Sequence, residues 1–181
     1  MIYLLRHTKP DIESGICYGN TDLGLDPESS KSDTAKAIKS LEVKHFKTIY
    51  SSPLKRCTQL AKEVVNQTQQ CDTVTVDPRL KELNFGDWEM MRWDDIFLST
   101  EGKEWFDNYI EHPTPNGESF AELIGRAKSF LDEMMTETED DILIVTHSGF
   151  IRGALVAMNI ATPSEAFDKK IEYGELVKLE I

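Results

Sequence analysis

Two short apolar runs, Ile2-Tyr3-Leu4-Leu5 and Ile142-Leu143-Ile144-Val145, constrain the fold of this chain more than any other feature. Each is bounded by polar residues and reads as a buried strand. Each also delivers a histidine: Arg6-His7 follows the first run, and Thr146-His147-Ser148-Gly149 follows the second. In open α/β sheets, ligand chemistry sits just beyond the carboxyl ends of the strands. The two runs therefore predict a sheet that carries a basic, imidazole-containing site along one edge.

The rest of the chain alternates strand and helix signals. Asp26 to Leu41 predicts a helix, with Asp26 as cap and Pro27 at the first position. Thr48 to Ser51 reads as a strand. Ser52 is then expected to cap a helix with Pro53 at its first position and an apolar face of Leu54, Cys57, Leu60, Ala61, Val64 and Val65. Thr73 to Val76 reads as a short strand, Glu82 to Met91 as irregular, and Trp93 to Tyr109 as helical in two pieces. Pro113 to Gly117 is a loop. Ser119 with Glu122 forms a capping box that opens a helix whose apolar stripe includes Phe120, Leu123, Ala127, Phe130 and Met134. Phe150 to Met158 predicts a further helix, and Glu175 to Ile181 a last strand. Strands alternating with helices predict an α/β three-layer sandwich, a mostly parallel central sheet flanked by helices. We expect a single domain over residues 1–181, with a helical roof insertion around 88–115.

The 181 residues are enough to bury a core, and no apolar run approaches the ~20 residues of a membrane span. The N-terminal stretch lacks the pattern of a signal peptide. Cys17, Cys57 and Cys71 have no metal-like spacing and read as reduced thiols, so a cytoplasmic location is expected. Cys17 is the thiol whose reactivity is worth checking, because it lies near the motif residues; plain packing is the simpler reading. The formal net charge of −12 argues against nucleic acid and anionic membranes as partners. An anionic substrate must be attracted locally, by a few arginines and helix N-termini.

Such a local site can be assembled from the motifs. Arg6 places a permanent charge beside His7. Arg56 lies one turn inside the helix after the second strand, from which its guanidinium can reach back over the strand end. His147 precedes a helix whose first N–H groups, at Ser148 and Gly149, suit an anion. Glu82, flanked by Leu83 and Phe85, would be partly desolvated, which favours the protonated form a general acid requires. Asp87 and Glu89 are rivals for that role. Each residue taken alone has a simpler structural reading, as a strand-end hydrogen bond, a surface ion pair or a helix cap. Ser119 reads as a cap, and Glu118 either orients a site group or faces water. His45 and His112 lack partners. Zinc is a rival use for His7 and His147, but two arginines repel a cation and no zinc-binding spacing exists, so we expect no metal and no organic cofactor.

Five segments in order, Leu5-Arg6-His7-Thr8, Ser51 to Gln59, Leu80 to Glu89, Gly117-Glu118-Ser119 and Val145 to Gly149, resemble the motifs of the histidine phosphatase superfamily, which includes cofactor-dependent phosphoglycerate mutase. The resemblance implies that His7 is a phosphorylated nucleophile, that Arg6, Arg56 and His147 form a phosphate pocket, and that Glu82 is the proton donor. It implies a small-molecule phosphate monoester as substrate. Thr8 stands where the family often has glycine. That substitution and the Gly15-Ile16-Cys17-Tyr18-Gly19-Asn20-Thr21-Asp22 segment resemble the α-ribazole phosphatase branch. The alternatives are a phosphomutase, a broad small-molecule phosphatase and a non-catalytic phosphate-binding module. Lys9-Pro10-Asp11 and the short Trp93–Pro113 region lack features typical of the mutases. Tyr18, Gly19, Asn20 and Ser148 are expected to bind substrate, and Tyr18, Phe85, Trp88, Trp93 and Trp105 to be the aromatic candidates for contact with the leaving group.

Overall fold

The computed structural model describes residues 1–41, 45–69, 71, 73–137 and 140–179. Among the described residues five strands form one sheet: β1 (Ile2–Arg6), β2 (Thr48–Ser51), β3 (Val74–Val76), β4 (Ile142–Thr146) and β5 (Leu176–Leu179). Their spatial order is β3-β2-β4-β1-β5; only β5, on the edge, runs antiparallel. The expected α/β sandwich with a mostly parallel sheet is the fold observed. Residues 180 and 181 of the expected last strand lie outside the described residues.

The unbroken apolar runs have a direct cause. In a strand, successive side chains point to opposite faces, and here both faces are covered. Ile2, Leu4, Ile142 and Ile144 join one core cluster with α5 (Phe120–Glu137) and α6 (Ser148–Ala157). Tyr3, Leu5, Leu143 and Val145 join a second with α1 (Ser29–Leu41) and α2 (Lys55–Thr68). Leu4 and Leu5 are both completely buried. Truncating either to alanine is expected to cost 2–5 kcal/mol, as is general for fully buried leucines.

Two helix starts differ from the sequence expectation. Residues 27 and 28 form a turn before α1, and Asp26 Oδ1 accepts the N–H groups of Glu28 and Ser29. The helix after β2 begins at Lys55, with no side-chain cap from Leu54 before it. Its first N–H instead donates to Asp22 Oδ1 at 2.7 Å, so the cap comes from a distant loop. The segment expected to be helical in two pieces forms α3 (Trp93–Leu98) and α4 (Thr100–Asn108), whose Trp93, Ile96 and Trp105 pack into the first core cluster. The remaining helix, α7, spans Pro163–Asp168. Among the described residues no helix is long and apolar enough to cross a membrane.

Strand register brings the motif residues level. Arg6 pairs with Thr146, and Ser51 with Val145. The residues that follow, His7, Ser52 and His147, leave the sheet along the same edge.

Candidate active site

His7 and His147 meet edge to face, their ring centroids 5.0 Å apart. His7 is 1% exposed and His147 and Arg56 are fully buried. The His7 Nδ1–H donates to its neighbour's carbonyl, Thr8 O, at 2.7 Å. That bond fixes the tautomer and leaves Nε2 with its lone pair. Burial first, then the charges of Arg56 and Arg6, hold the His7 pKa well below its ordinary value, so the ring stays neutral.

His147 is also held neutral, by burial and then by Arg56 and His7. In the free protein His147 therefore carries no charge beside the two guanidiniums. Its Nε2 lies 2.8 Å from Ser52 Oγ. The Ser52 hydroxyl also accepts from Leu54 N–H, so it bridges the turn before α2 and His147 Nε2. Ser52 thus serves the site rather than capping α2. Cys57 Sγ packs 3.3 Å from the same Nε2, and burial pushes its thiol pKa far up.

Arg56 comes from the first turn of α2. Its Nη1 and Nη2 donate to Thr21 O and Gly19 O, which ties the Gly15–Asp22 loop to the site. Arg6 donates to Ile171 O, and its guanidinium lies 3.9 Å from the Tyr173 ring centroid. The Nε atoms of both arginines and the Thr8 hydroxyl are buried without a protein partner. Two permanent cations beside two neutral imidazoles make a local anion site in an acidic protein. Among the described residues no cluster of three or more His, Cys, Asp or Glu side chains could hold a metal ion.

Glu82 sits in the irregular segment and is 8% exposed. Its carboxyl meets hydrogen-bond donors despite its apolar neighbours. Oε1 accepts Leu83 N–H, and Oε2 accepts Ser148 O–H and Gly149 N–H at the start of α6. A Cβ on Gly149 would lie 2.1 Å from Oε1, so only glycine leaves room for the carboxyl. The rival acids are engaged elsewhere. Glu89 accepts from Asn20 N–H and Thr21 O–H and pins the loop, while Asp87 accepts from Asn116.

Beside Glu82 opens a pocket of about 190 Å³. Of the expected substrate contacts, Tyr18, Gly19 and Ser148 line it; Asn20 lines a separate hollow with Lys81 and Arg126. Among the aromatic candidates, Phe85 and Trp93 reach the pocket. Trp88 and Trp105 are buried in the core and do not line it. Phe120, Arg152 and Phe167 also line it, beside Ile16, Leu83 and Leu123, and sequence reasoning missed the first three as pocket residues. Arg152 lies one helical turn after Ser148, a spacing that could have revealed it. Nothing local marks Phe167 or Tyr173. Ser119 caps α5 reciprocally with Glu122, and Glu118 pairs with Arg126. Burial holds the Cys17 thiol protonated, which supports packing as its role.

The model of the histidine phosphatase superfamily (branch 1) matches residues 2–181. The chain belongs to that superfamily. This family member is a phosphatase, and known proteins surround it. A protein of Hydrogenobacter thermophilus provisionally named phosphoserine phosphatase 2 is 33% identical, over 82% of this chain and 73% of its own. The adenosylcobalamin/alpha-ribazole phosphatase of Escherichia coli is 29% identical, over 91% and 81%. The alpha-ribazole phosphatase structure from Shigella flexneri shares the fold with a TM-score of 0.83 at 23% identity, covering 97% of this chain and 87% of that one.

Proposed function

We propose that the protein hydrolyses phosphate monoesters through a phosphohistidine formed on His7. The observation that carries this is the Thr8 carbonyl on Nδ1, which leaves a neutral Nε2 beside Arg6, Arg56 and His147. Nε2 attacks phosphorus, and the ester P–O bond breaks. Glu82 gives its proton to the departing alkoxide. The two guanidiniums and the His147 ring N–H stabilise the charge on the non-bridging oxygens. Glu82, now a carboxylate, takes a proton from water as that water attacks the phosphohistidine. The N–P bond breaks, and inorganic phosphate leaves. His7→Ala is expected to abolish turnover of p-nitrophenyl phosphate and acid-labile phosphoprotein; wild-type turnover in that variant removes His7 from the role.

The substrate we propose is α-ribazole 5′-phosphate. Tyr18, Phe85, Trp93 and Phe167 around the pocket suit a flat apolar base, by stacking and edge contacts. The Gly15–Asp22 segment and the E. coli relative support the same reading. The Hydrogenobacter relative makes phosphoserine the competitor to test. Across a panel of α-ribazole 5′-phosphate, phosphoserine and 3-phosphoglycerate, kcat/KM should favour the first by at least about tenfold, the equivalent of ~1.4 kcal/mol. A preference for phosphoserine overturns the substrate. Formation of 2-phosphoglycerate with a bisphosphoglycerate primer would make the protein a mutase.

A further inference from the structure

The segment that carries Glu82 has no regular structure from Lys81 to Phe85. No sheet or helix ladder satisfies its carbonyls, so other groups must. One side chain meets the carbonyls of Lys81 and Glu82 and one just before them. The Arg126 guanidinium, from α5, donates through Nη1 to Arg79 O at 2.6 Å and Lys81 O at 2.7 Å. Nη2 donates to Glu82 O at 2.9 Å. The same guanidinium meets Glu118 in a two-point contact, Nε to Oε1 at 2.7 Å and Nη2 to Oε2 at 3.0 Å. Glu118 also grips the far end of the segment: Oε2 accepts Asn84 N–H, and its own N–H donates to Asn84 O.

Glu82 is thus held from two directions. Its carboxyl is caught by the start of α6, and its backbone is fastened to α5. The α5 anchor does not depend on this clamp, because Phe120, Leu123, Ala127, Phe130 and Leu131 are buried in the core. A planar fork reaching three carbonyls and a carboxylate at once is a task for arginine that lysine cannot reproduce.

We propose that Arg126, braced by Glu118, is a positioning residue that sets the Glu82 carboxyl for proton transfer. This rests on the reading of Glu82 as the acid. A positioning role has a signature that a general structural role lacks: it acts on proton delivery to the leaving group. Alkyl phosphates need that proton, and p-nitrophenyl phosphate, whose phenolate leaves unaided, does not.

The test compares kcat/KM for an alkyl and an aryl ester in wild type, Glu82→Gln, Arg126→Met, Glu118→Gln and the Glu82→Gln/Arg126→Met double variant. Misplacing an acid by about 1 Å costs on the order of 10²-fold. Arg126→Met should therefore lose about 10²-fold on the alkyl ester and less than about threefold on the aryl one. The double variant should be no worse than Glu82→Gln, because both changes remove one function. Glu118→Gln keeps the shape and should show a smaller selective loss, which covers the case in which Arg126→Met does not fold. Equal losses on both esters in Arg126→Met, or an unchanged ratio in folded Glu118→Gln, overturn the positioning role alone. Equal losses in Glu82→Gln overturn the acid assignment, and Arg126 as its positioner falls with it.

Discussion

Lowering the pH from about 7 to about 5.5 should weaken the folded protein by about 2 kcal/mol through two side chains alone. His7 and His147 are fully enclosed, and burial with neighbouring guanidiniums holds both well below the ordinary value of 6.5. The folded protein binds no proton at either ring in this window, whereas the unfolded chain takes up one at each as the pH falls through 6.5. The unfolded state therefore binds more protons, and stability declines with falling pH. Each ring contributes about 1 kcal/mol over that interval, a substantial share of the 5–15 kcal/mol typical of a domain. The loss continues until the depressed folded-state values are reached. Carboxylates add little in this window, because their unfolded values lie near 4. Urea unfolding in phosphate-free buffer at the two pH values measures the difference. His7→Gln and His147→Gln should each reduce it by about half. An unfolding free energy that does not change between the two pH values would refute the claim that both imidazoles are buried neutral.

Three further outcomes follow from contacts already described. Gly149→Ala puts a Cβ 2.1 Å from Glu82 Oε1 and should cut kcat/KM for alkyl phosphates by about 10²-fold while sparing kcat/KM for p-nitrophenyl phosphate; an unchanged alkyl-to-aryl ratio counts against this placement of the carboxyl. Gly86→Ala is blocked twice, by a φ of +56° and by Pro115 O 2.1 Å from the new Cβ, and should cost at least about 2 kcal/mol in thermal or urea unfolding. Asp22→Ala removes the acceptor for the Lys55 N–H and should cost about 1 kcal/mol, the usual value for a lost helix cap, measured by thermal unfolding.

Much of the architecture was legible because it rests on local pattern. The runs at Ile2 and Ile142 became neighbouring strands, and the stripe of α5 faces the core as its spacing requires. Helices α3 and α4 part at Ser99, which accepts the Gly102 N–H as a cap. What was not legible depends on contacts between distant segments. Ser52 followed by Pro53 has the form of a helix cap, but a tertiary partner, His147, claims its hydroxyl. The charge of His147 cannot be read from its sequence neighbours, since burial and Arg56 decide it. Tyr173 reaches Arg6 and His7 only because β5 folds back beside β1.

That return of the chain has a consequence for how the protein assembles. β1 carries Arg6 and His7, yet both of its neighbours come from far along the chain: Leu4 pairs with Ile144 on one side and Val177 on the other. The Arg6 N–H donates to Glu175 O, and the Gly174 N–H donates back to Arg6 O. Closing such long loops is entropically costly and slows folding. The backbone that carries Arg6 and His7 is thus held in part by a strand from far along the chain. Loss of Leu176–Leu179 would therefore be felt first at the chemistry, not at a remote edge of the molecule.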